Sequence, residues 1–409
     1  MKLVILIAAL TMSLTAVGSD WPQFLGPNRD GASPETGLVE KIGGDGAIFS
    51  WRRKVGAGYA GPVVVGDRVF LFHFKDGQEV LEAFRAVDGS PIWSTGYPCD
   101  YDGGMFRETG PRATPTVVGD AVVSFGSDGV LQCLAVKDGA VRWRKRLQKE
   151  FEVPESFFGV SCSPLVHEGL VLVNLGARNG AGICAFQISD GSLAWKSTDD
   201  TASYSSPVVA TLGGKPTALF LARSGLHGIE PKSGEERFFH RFRARIDASV
   251  NAATPLVWND SIFLTSSYGV GAVLLDCRDA KPKVVWKTSD VLAAHFNTPV
   301  RVGDFLYGID GRQEGGDARL VCLEWATGAL KWSEPGVGCS SIIAADGKLF
   351  VMRESGELLL RRASPDKVEP LGQATIGKGL FRAAPALADR KIYVRSDSEL
   401  ISIDIGKRP

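Results

Sequence analysis

Six polar side chains, far apart in the chain, have the chemistry to bind a small anionic ligand if the fold brings them together. They are Arg112, Ser161, Asn251, His295, Asn297 and Arg382. A guanidinium pairs with a carboxylate through two parallel hydrogen bonds, and amides and hydroxyls fix the orientation of a bound group. Each of the six stands a few residues before a short apolar run. A solvated rim that holds ordered water would give the same pattern.

His295 is the histidine best placed to face such a site, because Phe296 and Asn297 follow it directly. A lone histidine in this setting is more often a hydrogen-bonding residue than a general base or a metal ligand. A Ser-His-Asp or Cys-His arrangement cannot be read from the sequence, because its members would come from distant segments. We therefore assign no catalytic residue.

Three long segments between apolar runs carry aromatic residues among charges of both signs. They cover residues 94–110, 148–160 and 239–250. Long connections on one face of a protein often carry binding residues, so these segments predict a docking surface for a protein or peptide. The residues predicted to contact the partner are Phe106, Arg107, Phe157 and Phe158.

No group of residues predicts a metal site. Residues 100–103, Asp-Tyr-Asp-Gly, begin like a calcium loop, but the twelfth position needs a carboxylate and is Pro111 here. The seven cysteines include no CxxC step and no adjacent pair, and their odd number argues against a disulfide framework.

The apolar runs belong to a repeat whose units open with a proline or, once, with an isoleucine. The opening residues are Pro62, Pro115, Pro164, Pro207, Pro255, Pro299, Ile342 and Pro385. Residues 113–147 show the unit, which has four short strand-like segments separated by turns rich in Gly and Asp. The intervals of 53, 49, 43, 48, 44, 43 and 43 residues suit a four-stranded propeller blade of roughly 40–50 residues. Eight units predict an all-β fold, an eight-bladed propeller of four-stranded antiparallel blades.

An aromatic residue four positions after the third turn glycine supports the same register. Six tryptophans occupy this position or its equivalent: Trp51, Trp93, Trp143, Trp195, Trp286 and Trp332. A large ring at one fixed place can wedge one sheet against the next, so we expect structural roles for them. Trp51 lies ahead of the first unit, in residues 48–55, and the last unit has only three segments. The N-terminal strand is therefore predicted to close the last blade.

The segment before the propeller divides into two parts. Residues 1–18 are predicted to be a signal peptide, because a short apolar stretch follows a single lysine and ends in small residues. Residues 19–47 are rich in proline and glycine and predict an irregular arm. We expect Trp21 and Phe24 of this arm to pack against the side of the propeller, which covers residues 48–405.

Composition limits the partners. The chain has 46 basic and 46 acidic side chains, so neither nucleic acid nor an anionic membrane surface is expected. The apolar stretch at the start is shorter than the roughly 20 residues of a membrane-spanning helix. We expect an exported monomer, in the periplasm or outside the cell.

Four segments, AVDGSPIW, AVKDGAVRW, QISDGSLAW and LEWATGALKW, resemble the pyrroloquinoline quinone (PQQ)-like repeat. The segment WPQFLGPNRDG is similar to the start of exported bacterial propellers that carry this repeat. The resemblance covers nearly the whole chain after residue 18 and implies one of two kinds of protein. Quinoprotein dehydrogenases bind PQQ and calcium in the funnel of an eight-bladed propeller. BamB-type propellers are scaffolds without enzymatic activity in outer-membrane β-barrel assembly.

Departures from the dehydrogenase pattern favour a binding protein. Many of those enzymes carry an adjacent cysteine pair beside the quinone, and haem-bearing relatives carry CxxCH, but neither occurs here. We expect a non-catalytic binding or scaffold protein that needs no cofactor and takes a protein, a peptide or a small anionic ligand. The alternative is a quinoprotein oxidoreductase. There, Asn251 or Asn297 would bind calcium and Arg112 or Arg382 would hold the carboxylates of PQQ.

Overall fold

The computed structural model describes residues 19–43, 48–104, 108–154 and 158–407. In this part of the chain, eight sheets follow one another, and each is built on strands that are consecutive in the chain and pair antiparallel. Inner strands of neighbouring blades contact each other and surround a central channel. The predicted eight-bladed propeller is confirmed.

Blades 1 to 4 have four strands each, counted from the channel outwards. Blade 1 contains β3 (Val63–Val65), β4 (Arg68–Lys75), β5 (Gln78–Arg85) and β6 (Pro91–Pro98). Blade 2 contains β7 (Thr116–Val118), β8 (Ala121–Phe125), β9 (Val130–Ala135) and β10 (Val141–Arg146), and is followed by the one-turn helix α1 (Leu147–Glu150). Blade 3 contains β11 (Leu165–His167), β12 (Leu170–Asn174), β13 (Ile183–Gln187) and β14 (Leu193–Ser197). Blade 4 contains β15 (Val208–Leu212), β16 (Lys215–Leu221), β17 (Gly225–Ile229) and β18 (Glu236–Arg241).

Blades 5 to 8 repeat this order, with additions from the N-terminal segment in the last two. Blade 5 contains β19 (Leu256–Trp258), β20 (Ser261–Ser266), β21 (Gly271–Asp276) and β22 (Lys283–Thr288). Blade 6 contains β23 (Val300–Val302), β24 (Phe305–Asp310), β25 (Arg319–Glu324) and β26 (Leu330–Glu334), with a 3₁₀ turn at Gln313–Gly315. Blade 7 contains β27 (Ser340–Ala345), β28 (Lys348–Arg353), β29 (Glu357–Arg362) and β30 (Pro370–Thr375), and β1 (Ala32–Ser33) adds a fifth strand. Blade 8 contains β31 (Ala386–Ala388), β32 (Lys391–Arg395), β33 (Glu399–Asp404) and β2 (Ile48–Lys54).

Middle strands of the blades are buried on both faces, because the neighbouring blades cover them. All five residues of β8 and all five of β12 are buried, whereas β10 and β14 at the outer edge are partly exposed. Strands buried on both faces read as continuous apolar runs and not as alternating ones. This is the pattern that marks the repeat in the sequence.

The ring closes through the N-terminal strand, as predicted. Strand β2 pairs antiparallel with β33, and Trp51 lies opposite Ser402. The segment before β2 also joins the last blade, because the Val39 N–H donates to the Ile405 carbonyl at 2.8 Å. Both ends of the chain therefore stabilise blade 8.

The six tryptophans lie at the junctions between blades. Each indole N–H donates to a backbone carbonyl of the next blade at 2.7–3.0 Å, from Trp51 to Ala86, Trp93 to Val136, Trp143 to Ile188, Trp195 to Pro231, Trp286 to Trp325 and Trp332 to Ser364. The rings also cover turn glycines of the next blade. Gly191 has φ +73°, and a Cβ there would lie 2.8 Å from the Trp143 ring. The tryptophan of one blade and the glycine of the next form one contact, which explains their fixed spacing.

Hydroxyl groups just before the inner strands link neighbouring blades around the channel. In four junctions a backbone N–H donates to the hydroxyl of the next blade at 2.9 Å, from Gly61 to Thr114, Thr114 to Ser163, Ser163 to Ser206 and Thr254 to Thr298. We call the four accepting side chains the hydroxyl belt. Between blades 4 and 5 the belt is interrupted, because the buried Thr254 hydroxyl has no hydrogen-bond partner among the described residues.

Residues 20–33 of the arm run inside the channel, so the expectation that Trp21 and Phe24 pack against the side of the propeller is wrong. Trp21 is 1% exposed and exchanges two backbone hydrogen bonds of 2.8 and 2.9 Å with Val64 of β3. The Val117 N–H of β7 donates to the Pro22 carbonyl at 2.8 Å. On the opposite side, β1 pairs in parallel with β27. The arm thus adds backbone hydrogen bonds to the channel-facing edges of blades 1, 2 and 7.

Arg29 ties the arm to two further blades. Its guanidinium donates to the carbonyls of Pro207 at 2.8 Å, Ser163 at 3.0 Å and Pro164 at 3.1 Å. Arg29 is 2% exposed, and burial lowers its pKa to about 9. Glycine makes the tight path possible, since a Cβ at Gly26 would lie 2.8 Å from the Trp21 ring. The prolines and glycines of this segment predicted an irregular arm. They did not predict its path, because the burial of Arg29 against backbone carbonyls leaves no periodic pattern in the sequence.

Among the residues that the structure describes, none of the helices has the length and apolar character needed to span a lipid bilayer.

Candidate functional site

A cavity of about 680 Å³ lies in the channel, directly against the arm. Strands alternate in direction within each blade, so the inter-blade connections and the turns between second and third strands share one end of the channel. Both kinds of segment line the cavity together with the arm. The lining includes Phe24, Leu25, Tyr59, Glu108, Arg112, Phe158, Ser161, Tyr204, Tyr268, His295, Asn297, Arg312, Gln313, Glu314, Ile342, Ile343 and Arg382.

Five of the six predicted ligand-binding residues come together here: Arg112, Ser161, His295, Asn297 and Arg382. Asn251 is not in the lining. It is 2% exposed, and its amide donates to the carbonyls of Ala222 and Phe242 at 2.9 and 3.0 Å. The side chain therefore joins two segments of blade 4 behind the cavity wall.

Arg382 lies between two carboxylates. It donates to Glu108 at 2.6 Å and to Glu354 at 2.5 Å, and Glu108 also accepts from Arg112 at 2.9 Å. Burial alone would lower the pKa of Arg382, but the two carboxylates outweigh this effect and raise it. The Gln313 amide completes the group by donating to Glu354 at 2.7 Å. The two arginines predicted to hold an anion are thus already neutralised by the protein.

Arg112 is held between two aromatic rings. Its guanidinium carbon lies 5.0 Å from the centre of the Tyr59 ring and 4.8 Å from that of Phe158. Stacking of this kind orients a guanidinium and restricts its rotation. One of its nitrogens, Nη1, is buried without a hydrogen-bond partner among the described residues. This nitrogen is enclosed by the surrounding protein, so it adds an unsatisfied donor to the wall.

His295 belongs to the cavity wall as a neutral imidazole. Its Nε2 lies 2.9 Å from the Tyr268 hydroxyl, and the backbone N–H of Gln313 points at Nδ1 from 3.5 Å. Burial lowers the pKa of His295, with Arg312 and Arg382 acting in the same direction and Glu314 opposing them. A neutral ring held between Tyr268 and the 3₁₀ turn suits a hydrogen-bonding wall residue.

Ser161 and Asn297 also have partners within the protein. The Ser161 hydroxyl donates to the Phe158 carbonyl at 3.1 Å, and the Asn297 amide donates to the Ser341 hydroxyl at 3.2 Å. Both residues are buried. Both contribute polar atoms to the wall, and the Asn297 contact also joins the segment before blade 6 to β27 of blade 7.

The predicted partner-binding residues are only partly described. Phe106, Arg107 and Phe157 lie outside the described residues, and their assignment stays a prediction. Phe158 lies in the cavity wall, edge-on to Tyr204 with ring centres 5.2 Å apart. It belongs to the same end of the channel as the cavity.

Several residues of the site were not singled out from the sequence. Glu108 and Glu354 come from different blades, and only the folded ring shows that they share Arg382. Phe24 and Leu25 belong to the arm, whose path through the channel had no sequence signal. For Tyr59 a signal existed, because it stands three residues before Pro62, as Arg112 stands before Pro115.

A second polar cluster lies between blades 1 and 2, around Glu79. Glu79 is fully buried and accepts hydrogen bonds from the Ser127 N–H at 3.0 Å, the Ser127 hydroxyl at 2.6 Å and the Tyr97 hydroxyl at 2.5 Å. Cys99 and Asp128 bring possible ligand atoms within 4.8 Å. Burial raises the pKa of the Cys99 thiol to about 12. With the carboxylate occupied by three donors, we assign this cluster a structural role.

All seven cysteines are free thiols, and all are buried. Cys133 and Cys322 are fully inaccessible and lie on the third strands of blades 2 and 6. In both, burial raises the thiol pKa to about 11. Their position and protonation suit small core residues.

The residues present do not readily fit PQQ with calcium. The carboxylates of the quinone need unpaired cations, but Arg382 is occupied by Glu108 and Glu354. Calcium takes six to eight oxygen ligands, preferably from carboxylates. The Glu108 and Glu354 carboxylates accept hydrogen bonds from guanidinium groups, and Asn251 faces backbone carbonyls in the wall. Binding both groups would first require these contacts to break.

Fold and site together define a class of protein: an eight-bladed propeller whose own N-terminal arm fills the channel beneath a charge-balanced cavity. Over residues 76–334, more than half of its length, the chain matches the family described as outer membrane protein assembly factor BamB. The chain belongs to this family.

Two relatives carry that description as their name. The protein from Moranella endobia (strain PCIT) is 27% identical over 191 residues, which cover 46% of this chain and 44% of the relative. The protein from Burkholderia pseudomallei (strain K96243) is 24% identical over 299 residues, which cover 68% of this chain and 69% of the relative. The match to the first relative therefore spans less than half of that protein's length.

Solved structures of two kinds share the fold. BamB from Moraxella catarrhalis superposes with a TM-score of 0.62 at 15% identity, covering 88% of this chain and 99% of that one. Quinohemoprotein alcohol dehydrogenase from Comamonas testosteroni gives a TM-score of 0.67 at 13% identity, covering 95% of this chain and 81% of that one. At these identities the likeness establishes the fold alone.

Proposed function

We propose that the protein is an exported, non-catalytic propeller that binds or scaffolds a partner through the face around the cavity. The observation that carries the proposal is the pairing of Arg382 with Glu108 and Glu354. These contacts occupy the charged groups that an enzyme would direct at an ionic substrate or cofactor. His295, with its lowered pKa and its Tyr268 contact, suits a wall residue better than a proton acceptor.

The rim of the cavity has features that suit a protein or peptide partner. Ile246, in the long connection between blades 4 and 5, is 51% exposed. Phe158 and Tyr204 add aromatic surface beside Arg112. Aromatic residues and arginine are enriched where proteins bind one another. The relatives named as assembly factors support a scaffold role, and the signal peptide predicted at residues 1–18 supports a periplasmic or extracellular location.

A photo-crosslinking experiment tests the face. Benzoylphenylalanine is placed at Ile246 on the cavity face or at Val87, which is 73% exposed in a turn at the opposite end of blade 1. In cells of the source organism, we expect position 246 to give one dominant adduct with a protein. We expect this adduct to be absent when the crosslinker is at position 87. Equal adducts from both positions, or adducts from position 87 alone, would contradict the proposed binding face.

The second candidate function is a PQQ-dependent oxidoreductase, the alternative that the resemblance to the PQQ-like repeat implies. Incubation of the purified protein with PQQ and calcium separates it from the first. The binding proposal expects no stoichiometric quinone spectrum and no dye reduction with an alcohol or sugar. A one-to-one quinone complex that reduces dye would overturn it.

A further inference from the structure

We propose that the cavity receives an apolar side chain from the partner polypeptide, and that Phe24 and Leu25 of the arm select this side chain. The inference rests on the binding function proposed above and adds the chemistry of the occupant. It also gives the arm a role in recognition beyond filling the channel.

The arm gives the cavity an apolar floor. Phe24 and Leu25 line it beside Ile342 and Ile343 of β27. Burial of an aromatic or branched aliphatic side chain against such a surface is favourable in proportion to the area removed from water. Arg29 anchors the arm to blades 3 and 4, so the floor is already in place before a partner binds. A preformed pocket spares the partner the cost of ordering it.

Charges at the rim are balanced, which favours a neutral occupant. Arg112 and Arg382 are matched by Glu108 and Glu354, and Arg312 lies 3.3 Å from Glu314. A free acid or base gains little from such a rim, whereas a peptide backbone carries no net charge.

An exposed apolar side chain stands two residues before Ala248 of the cavity lining, which favours a polypeptide over a small molecule. Phe158 lies in the wall, and Ile246 is half exposed on the neighbouring long connection. A small ligand inside the cavity would leave Ile246 in water. A polypeptide that inserts one anchor residue would cover it, as the rim of an interface surrounds its central anchor.

Capped tripeptides test the occupant. N-acetyl-Gly-X-Gly-amide, with X as Phe, Leu, Asp or Lys, is titrated into the full chain and followed by calorimetry and ligand-observed NMR. We expect one site, and binding of the Phe and Leu peptides about tenfold or more tighter than the Asp and Lys peptides. Phenylacetate serves as the small-molecule comparison and should bind more weakly than the Phe peptide.

Two arm variants test the selecting residues. Leu25 has φ +60°, a conformation that asparagine tolerates well, so Leu25→Asn makes the floor polar without straining the backbone. Phe24→Ser changes a half-buried residue and gives a second test should Leu25→Asn disturb folding. Both variants should bind the Phe peptide about tenfold or more weakly than the wild type does. The control Val87→Asn, on the opposite face, should leave this affinity unchanged.

Each other outcome overturns the inference in a recognisable way. If both arm variants bind the Phe peptide as tightly as the wild type does, Phe24 and Leu25 do not take part in recognition. Tighter binding of phenylacetate than of the Phe peptide would make the occupant a small molecule. If no peptide binds but crosslinking at position 246 still succeeds, the inserted apolar side chain is refuted and the proposed binding function stands. Failure of the crosslinking as well would remove both.

Discussion

Arg29, near the start of the chain, donates a hydrogen bond of 2.8 Å to the carbonyl of Pro207 at the entrance to blade 4. The same guanidinium reaches two carbonyls of blade 3, so one side chain joins the arm to two blades. Its Nε is buried without a hydrogen-bond partner among the described residues. A buried cation with neutral partners is costly, and it persists here because the arm is fixed at both ends of this segment.

Replacing Arg29 with alanine should destabilise the protein by about 2–4 kcal/mol, because three buried carbonyls lose their donor and a void remains. Urea unfolding measures the loss. Arg53→Ala is the matched control, since Arg53 is exposed and donates to a single carbonyl, that of Gly89 at 2.7 Å. A midpoint for Arg29→Ala equal to that of the control would show that the arm does not depend on this contact.

The sequence was sufficient to predict the propeller, because the residues that carry its repeat act locally. An opening proline, turn glycines and one aromatic residue per blade recur at a fixed spacing, and each has a role within one blade or with its neighbour. The closure of the last blade by the strand that contains Trp51 followed from counting the strands in the last unit. In each case a short pattern determines a short-range structure.

The arm and the charge balance of the site could not be predicted, because both depend on contacts between distant segments. Glu108 and Arg382 are 274 residues apart and meet only when the ring closes. Asn251 has the residue type of a ligand-binding amide, yet two backbone carbonyls take up its donors. Residue type at the rim therefore predicts which side chains converge, but not which of them remain available to a ligand.

The hydroxyl belt provides a matched pair of substitutions, beginning with Ser163→Ala. The Ser163 hydroxyl accepts from the Thr114 N–H at 2.9 Å, so its removal leaves a buried donor unpaired. We expect a loss of about 1–2 kcal/mol in the free energy of unfolding, measured in urea.

Thr254→Val provides the comparison, because this hydroxyl has no partner among the described residues while its backbone N–H still donates to Thr298. Valine keeps the shape and removes the unsatisfied group, so stability should stay the same or rise. A loss as large as that of Ser163→Ala would mean that the belt continues through Thr254, for example by a bound water.

His227 makes stability depend on pH. Its Nδ1 lies 2.7 Å from Glu236 and its Nε2 3.0 Å from Asp200, so the protonated ring satisfies both carboxylates. Burial alone would lower the pKa of His227, but the two carboxylates outweigh it and raise the pKa above 6.5. The stabilisation is complete below that ordinary value and is lost as pH rises through the pKa of the folded protein. The difference in melting temperature between wild type and His227→Gln should therefore shrink as pH increases from about 6 to about 8.

The variant His295→Gln is the control, because the contribution of His295 to stability should change with pH in the opposite direction. Burial lowers the pKa of His295, so the folded protein binds this proton less readily than the unfolded chain does. Wild type should lose stability relative to His295→Gln as pH falls below about 6.5. Parallel pH profiles for the two variants would contradict both assignments.

Removing the two carboxylates around Arg382 should convert the cavity into an anion site. In the wild type, Glu108 and Glu354 occupy Arg382, and Glu108 also occupies Arg112. Glu108→Gln combined with Glu354→Gln keeps the shape but leaves two guanidinium groups without opposite charge. Citrate, a small tricarboxylate, should then bind about tenfold or more tighter than to wild type, as measured by calorimetry at low salt. Adding Arg382→Gln should abolish the gain, because only Arg112 remains. If wild type already bound citrate as tightly as the double variant, the carboxylates would not be what keeps anions out, and the cavity would be open to the carboxylates of a quinone.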